Sequence, residues 1–140
     1  MTRLLNLLFG LIVLCGSLAA QAESANSFLA QADKYWAEGK TERAQKSFES
    51  AVAAEPGSSS TRLRLAGFQL AQQQTSASIS NFQKVISQEP ANSKAWIGLG
   101  MAYLHSSQRD LARAAFEEAV RVDPSRQEKI APLIAKLQAR

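Results

Sequence analysis

The chain has 140 residues, 46% of them hydrophobic and 20% charged, which is enough for one modest domain with a buried core. Sixteen basic and twelve acidic residues give a formal net charge of +4. The charges are interspersed, which is typical of a solvated surface and argues against a patch that binds nucleic acid or lipid.

The first 22 residues have the pattern of a secretory signal peptide. Arg3 supplies a positive start, residues 4–20 are mostly apolar, and Ala20-Gln21-Ala22 is a small-residue cleavage motif. We therefore expect residues 1–22 to be removed and the protein to be exported to the periplasm. The alternative is an uncleaved segment that anchors the chain in the inner membrane, although the apolar stretch is at the short end for a membrane span.

Cys15 is the one cysteine of the chain, and it lies within this segment. Lipoprotein processing needs a small residue before the acylated cysteine, whereas Leu14 stands at that position. We therefore expect no lipidation. Cleavage would leave a mature chain without cysteine, which excludes disulfides, thiol catalysis and cysteine-ligated metal sites.

A period of thirty-four residues organises the rest of the chain. Pro56, Pro90 and Pro124 are thirty-four residues apart, and each follows an acidic residue. A phenylalanine stands eight residues before each proline, at Phe48, Phe82 and Phe116. A fixed period of this length indicates stacked supersecondary units.

The last copy has the fullest motif. Trp96, Leu99, Gly100 and Tyr103 lie at i, i+3, i+4 and i+7, which places them on one face of a helix. The residues that follow this face in register are Ala112, Phe116, Ala119 and Pro124. This pattern resembles the tetratricopeptide repeat, W-x2-L-G-x2-Y…A-x3-F…P, and the resemblance covers roughly residues 25–124.

The two earlier copies depart from the motif. The first has Gln31 where leucine is usual. The middle copy has Arg62 and Gln69 where aromatic residues are expected and Ser78 where alanine is expected.

The resemblance implies an all-α fold, a right-handed α-solenoid of three helix–turn–helix repeats followed by a C-terminal capping helix. The domain division is then a signal peptide over 1–22, three repeats over 23–124 (about 25–58, 59–92 and 93–126) and a capping helix over 125–140. We expect first helices over about 25–38, 59–72 and 93–106, and second helices over about 41–54, 75–88 and 109–122.

Local signals predict where these helices begin and end. Thr41 and Asn92-Ser93 are the expected N-caps, and each repeat proline stops a helix or presets the following turn. Residues 125–128 read as a capping box for the last helix. Pro132 either lies inside a helix that starts at Arg126, which it should kink, or a helix starts later, near Lys129.

Two glycines interrupt the apolar helix predicted over 93–106. Gly100 sits where the second helix must approach closely, and we expect Phe116 and Ala112 to fill that contact. Gly98 has two interpretations: with Gly67 it thins the wall of a groove for a partner's backbone, or it eases the crossing of two helices.

No residue pattern indicates catalysis. His105 has no acid placed to orient it, and His105 with Met101 does not make a haem or copper site without a C-x-x-C-H motif or a second histidine. Glu117 and Glu118 are adjacent, so their side chains point about 100° apart along a helix and cannot share one site. We expect a protein that is not an enzyme and has no metal or cofactor.

In the family, function usually lies on the concave face, which the first helix of each repeat lines. Non-core positions of these helices form an apolar stripe with polar edges, which predicts a groove for an apolar segment or amphipathic helix of a protein partner. Some of these residues, Leu63 and Leu70 especially, have the alternative of packing between repeats. The predicted groove residues are Leu29, Asp33, Trp36, Leu63, Gly67, Leu70, Lys94, Ile97, Met101, Leu104 and His105.

One well-known groove of the family holds a C-terminal carboxylate with lysine, asparagine and arginine donors. The aligned positions here are Leu29, Asp33, Arg64, Lys94 and Gly98. Of these Lys94 alone matches, and Asp33 would repel a carboxylate, so we do not expect that specificity.

The resemblance therefore implies a non-enzymatic adaptor that supports the assembly of an envelope complex, membrane-associated or not. The alternatives are a self-associating scaffold, in which a homo-oligomer forms through the groove, and an accessory subunit of a membrane-associated complex.

Overall fold

A computed structural model describes residues 23–139 of the chain. These residues are helical apart from short turns, and no strand occurs among them. No helix in this range is both long enough and apolar enough to cross a membrane. The predicted signal peptide over 1–22, with Cys15, lies outside the described residues, so its cleavage stays a prediction.

The helices alternate with turns of a few residues. The described part of α1 covers 23–37. The helices that follow are α2 (Thr41–Ala54), α3 (Ser59–Ala71), α4 (Thr75–Gln88), α5 (Ser93–His105), α6 (Arg109–Val122) and α7 (Gln127–Gln138), with a 3-10 turn over Pro124–Arg126 before α7. The second helix of each pair begins and ends at the predicted residues, because each ends two residues before a repeat proline.

The chain divides into two compact units, one up to Thr61 and one from Arg62 onward. In the first unit, four alanines, one leucine and one phenylalanine are the buried apolar residues of α1 and α2. The Trp36 ring lies edge-on to Phe48, with 6.5 Å between ring centroids, and Arg43 lies over the Tyr35 ring. The buried apolar residues on α1 and α2 are Ala25, Leu29, Ala32, Ala44, Phe48 and Ala51.

The second unit packs α4 against α5, α5 against α6 and α6 against α7. Its apolar interior consists of two clusters. The first contains Ala66, Phe82, Val85, Ala95, Leu99, Ala102 and Ala115, and the second contains Ala112, Phe116, Ala119 and Ile130.

Both glycines of α5 are explained by aromatic rings on neighbouring helices. A methyl group on Gly100 would lie 2.7 Å from the Phe116 ring of α6, so the predicted close approach is confirmed. A methyl group on Gly98 would overlap the Phe82 ring of α4. The interpretation that Gly98 thins the wall of a groove is therefore wrong, and the glycine permits the crossing of α4 and α5.

The α3–α4 pair is joined by polar side chains. Arg62 donates to the Asn81 side-chain oxygen over 3.4 Å, and the Asn81 amide donates to Gln69 over 2.7 Å. The Ser78 hydroxyl, fully buried, donates to the Ala66 carbonyl of α3 over 2.9 Å. The three motif departures of the middle copy thus each form a hydrogen bond between α3 and α4: Arg62 and Gln69 through Asn81, and Ser78 separately with the Ala66 carbonyl.

The helix caps correct two predictions. Asn92 is an N-cap as predicted, since its side chain accepts from the Ala95 N–H over 3.0 Å. Thr41 is instead the first helical residue, and Lys40 precedes it without a side-chain cap. The capping box over 125–128 is also wrong, because α7 begins at Gln127 after Arg126 and no side chain caps its first turn.

Asp123 accepts several hydrogen bonds in the turn that precedes α7. Its carboxylate accepts from the Ser125 N–H, the Arg126 guanidinium and the Ser93 hydroxyl at the start of α5. The helix then begins at Gln127 and contains Pro132. Of the two predicted courses, the structure has the early start with the proline inside the helix.

Candidate partner-binding face

The predicted groove residues of α1 differ greatly in exposure. Leu29 is 7% exposed and belongs to the core of the first unit, so it is not available to a partner. Asp33 is exposed, and 42% of the Trp36 surface is exposed. With Ala37, these two residues line a shallow recess of about 250 Å³.

On α3, the two leucines of the predicted groove pack against the protein's own core. Leu63 and Leu70 are half-buried and pack against the first apolar cluster of the second unit, which is the alternative that the sequence left open. Gly67 is different, because a methyl group there would meet no other atom within 4 Å. The surface of α3 at Gly67 is therefore open.

On α5, Met101 is the most exposed apolar side chain of the predicted groove. Ile97 and Leu104 are half-buried and pack against the second apolar cluster, whereas 37% of the Met101 surface is exposed. Lys94 and His105 are exposed at the two ends of the helix. His105 lies in the last turn, where a basic residue complements the helix dipole.

The first helices of the pairs therefore leave a narrower apolar surface than the sequence predicts. Among the described residues, each unit offers one large exposed apolar side chain on such a helix, Trp36 on α1 and Met101 on α5. Burial of the other leucines and isoleucine depends on how adjacent helices meet, which the residue pattern of a single helix does not determine.

Two surface features were not predicted. Leu111 on α6 has 47% of its surface exposed. A cleft of about 630 Å³ lies where α6 begins and α7 ends, with Arg109, Asp110 and Leu137 among its lining residues. Arg109 donates to the carbonyl oxygen of Lys136 there, so this arginine caps the end of α7. The cleft depends on where α7 ends, for which the sequence has no clear signal.

Several ionisable side chains form ion pairs on the surface. Glu117 pairs with Arg113 over 2.9 Å and Glu118 pairs with Arg121 over 2.8 Å, so the adjacent acids turn to different partners. The hydrogen bond from Arg121 lowers the pKa of the Glu118 carboxyl. Among residues 23–139 no group of three or more histidine, cysteine or acidic side chains is arranged to hold a metal ion.

The thirty-four-residue period has a counterpart in known proteins. The sequence profile described as Tetratricopeptide repeat matches residues 35–79 and 69–137, which together span more than half of the chain. No curated protein sequence matches the chain significantly.

Several solved structures have a similar fold. The second TPR domain of human RPAP3, in complex with the HSP70 peptide SGPTIEEVD, is 20% identical with a TM-score of 0.72, over 88% of this chain and 99% of that chain. The TPR2B domain of yeast Sti1, in its complex with pHsp70, is 18% identical with a TM-score of 0.76, over 85% and 100%.

MamA from Desulfovibrio magneticus, from residue 41 to its end, is 22% identical with a TM-score of 0.64, over 71% of this chain and 56% of that chain. At these identities the similarity shows the fold alone. The predicted fold class, an all-α solenoid of helix–turn–helix units, is confirmed. By its sequence profile, the chain belongs to the tetratricopeptide repeat family.

Proposed function

We propose that this protein is a non-enzymatic adaptor that binds an apolar segment or amphipathic helix of a protein partner through its first-helix faces. The observation that supports this most directly is the exposure of Trp36 and Met101 on α1 and α5. Large apolar side chains left in solvent at such positions are typical of interaction sites.

The solved relatives support a peptide as the partner, because human RPAP3 and yeast Sti1 domains were solved with HSP70 ligands. The sequence argues for a different specificity here, since Asp33 and Gly98 stand where carboxylate-binding donors would be needed. The partner is therefore not expected to be recognised by its C-terminal carboxylate.

The available apolar surface limits the affinity. Full burial of two large apolar side chains is worth about 1.5–3 kcal/mol each, and the loss of side-chain and overall freedom on binding offsets part of this gain. A dissociation constant in the micromolar range or weaker follows, unless half-buried neighbours such as Leu104 add to the contact.

The proposal also covers the cellular compartment in which the adaptor works. The adaptor has three repeats, is exported, and works in the periplasm, where it supports the assembly of an envelope complex. The signal-like pattern of residues 1–22 supports export, and retention of that segment would hold the same adaptor at the inner membrane.

Partner capture with matched variants tests the proposal. Tagged full-length protein is used to capture proteins from an envelope extract, and the captured proteins are identified by mass spectrometry. We expect Trp36→Glu or Met101→Glu to abolish capture of the partner, because each places a charge in the proposed contact. Leu111→Glu, a similarly exposed residue on a second helix, should leave capture unchanged.

Two results would contradict the proposal. One is capture that survives both first-helix variants at unchanged helical content. The other is a loss that Leu111→Glu reproduces. Light scattering of the wild-type protein tests the scaffold alternative. A self-associating scaffold would have an apparent molecular mass that rises with protein concentration, whereas the adaptor would not.

A further inference from the structure

Met101 is the only sulfur-containing residue in the part of the chain that the structure describes. The full sequence has two methionines and one cysteine, and the other two of these residues, Met1 and Cys15, precede residue 23. Removal of residues 1–22, as proposed above, would leave Met101 with the single sulfur atom of the protein. A thioether is among the side-chain groups that peroxides oxidise most readily.

The Met101 side chain is open to solvent, in contrast to its apolar neighbours on α5. Its exposed fraction is 37%. Ile97 and Leu104, about one turn away on either side, are half-buried and pack against the second apolar cluster. Met101 belongs to neither apolar cluster of the second unit. A small oxidant therefore reaches this side chain without any opening of the fold.

The residues at the equivalent repeat positions are small. Gly67 on α3 stands thirty-four residues before Met101, and Ala135 on α7 stands thirty-four residues after it. A methyl group on Gly67 would meet no other atom within 4 Å, and Ala135 is exposed. Because stacked repeats place equivalent residues side by side, no long side chain at these two positions shields the thioether.

Oxidation changes the chemistry of this surface by two electrons. A lone pair of the Met101 sulfur attacks one oxygen of hydrogen peroxide, so an S–O bond forms, the O–O bond breaks and water leaves. The sulfur is oxidised to the sulfoxide and the peroxide is reduced. The sulfoxide is polar where the thioether is apolar. Burial of a polar group without a hydrogen-bond partner is unfavourable, so the product opposes the contact that Met101 favours.

We propose that Met101 is a reversible oxidation site whose sulfoxide releases the partner segment. This inference rests on the proposed adaptor function and adds its regulation by peroxide. Methionine sulfoxide reductases reverse the step. The sulfoxide oxygen leaves as water, and a dithiol supplies the two electrons and becomes a disulfide. Since Met101 lies outside both apolar clusters, the switch acts on binding rather than on folding.

The first measurement tests the oxidation site itself. Full-length protein is incubated with hydrogen peroxide and then with catalase, and the tryptic peptide over 95–109 is followed by mass spectrometry. We expect Met101 to gain one oxygen at a rate within about tenfold of that of acetyl-methionine-amide, because exposure sets the susceptibility. The reductases for the two sulfoxide epimers, with dithiothreitol, should restore the original mass. The Tm should change by less than about 4 °C.

The second measurement tests the effect on binding. Oxidised protein, freed of peroxide, is used for capture from the envelope extract beside untreated protein. We expect capture of the partner to fall about fivefold or more and to return after reductase treatment. Met101→Leu has no thioether at this position, so the same peroxide treatment should not alter its capture, whatever its level before treatment.

Several results would overturn the inference: slower oxidation than expected, a sulfoxide that the reductases do not reduce in the folded protein, a larger loss in Tm, or a loss of capture that peroxide also causes in Met101→Leu. Equal capture by oxidised and untreated protein, with capture lost in Met101→Glu, overturns the switch and leaves the adaptor function standing. Capture that neither oxidation nor Met101→Glu changes contradicts both. If untreated protein captures no partner, the adaptor function fails, whereas the oxidation and reductase measurements still decide the modification site.

Discussion

The α3–α4 and α5–α6 pairs are copies of one repeat, yet four corresponding positions between their helices carry different chemistry. In α5–α6, two aromatic residues and two alanines pack against apolar clusters. In α3–α4, the same positions have polar side chains that form hydrogen bonds between the two helices, beside the apolar residues of the pair. The corresponding residues are Trp96 and Arg62, Tyr103 and Gln69, Ala112 and Ser78, and Ala115 and Asn81.

This difference teaches that the repeat fixes the helix geometry but not the kind of contact inside it. An apolar interior depends on filled volume, so it loses stability when a large side chain is removed. Hydrogen-bonded positions depend on their partners, so they lose stability when one member is left unpaired. The two pairs should therefore respond to substitution in different ways.

Loss of Phe116 should have the largest effect. Phe116 is buried between α5 and α6, and Phe116→Ala leaves a cavity in the apolar pair. We expect a loss of about 3–5 kcal/mol in the free energy of unfolding, measured by urea denaturation. Leu111→Ala on the same helix is the control and should change the stability by less than about 0.5 kcal/mol. A loss below about 1 kcal/mol for Phe116→Ala would contradict the packing described for this pair.

Loss of Asn81 tests the polar pair. Asn81→Ala leaves the buried Gln69 amide without its partner, and we expect a cost of about 1–3 kcal/mol. The double variant with Gln69→Leu should recover part of this loss, because neither polar group is then left unpaired in the interior. A double variant that is no more stable than Asn81→Ala would show that the hydrogen bond is not what the pair depends on.

Three helix glycines extend this comparison, because we expect alanine to lower the stability at two of them and to raise it at the third. Gly98→Ala and Gly100→Ala push a methyl group into an aromatic ring, and we expect each to destabilise the protein by about 1–2 kcal/mol after the gain in helix propensity. Gly67→Ala, with open space around it, should stabilise the protein by about 0.5–1 kcal/mol. Thermal unfolding followed by circular dichroism measures all three, and the same sign for all would contradict the close approaches.

The smallest effect concerns acid stability at the end of α6. The hydrogen bond from Ser125, aided by Arg126 and Ser93, lowers the pKa of the Asp123 carboxyl below its ordinary value of 3.8. A lowered folded-state pKa means that the contribution to stability is fully present above the ordinary pKa and is lost as the pH falls through the folded pKa.

Asp123→Asn should therefore flatten the decline in stability below about pH 4, measured by urea denaturation from pH 7 to pH 2. The free energy of unfolding of Asp123→Asn and of the wild type should run parallel between pH 5 and pH 7. A variant that declines as steeply as the wild type below pH 4 would show that this carboxylate is not responsible.

The fold could be predicted from the sequence because its signals are local and repeated. The prolines at a fixed period place the ends of α2, α4 and α6, and the motif around Trp96 and Gly100 gives the face of α5 that meets α6. Gly98 could not be assigned from one helix, since its contact depends on how the Phe82 ring of α4 is placed.

The binding face was harder to predict for the same reason. A stripe of apolar residues on one helix looks the same whether a partner or a neighbouring helix covers it. Leu29 and Leu63 are covered by the protein's own interior, whereas Trp36 and Met101 remain exposed. Only three-dimensional packing separates these two groups.

Site-specific photo-crosslinking tests the central claim, that a partner protein contacts the exposed side chains of the first helices. The photoreactive residue p-benzoylphenylalanine is placed at Met101 on α5 and, for comparison, at Leu111 on α6, in the full-length protein in cells. We expect a discrete adduct with a protein partner from position 101 and none from position 111. An adduct that forms equally from both positions, or from position 111 alone, would contradict the account.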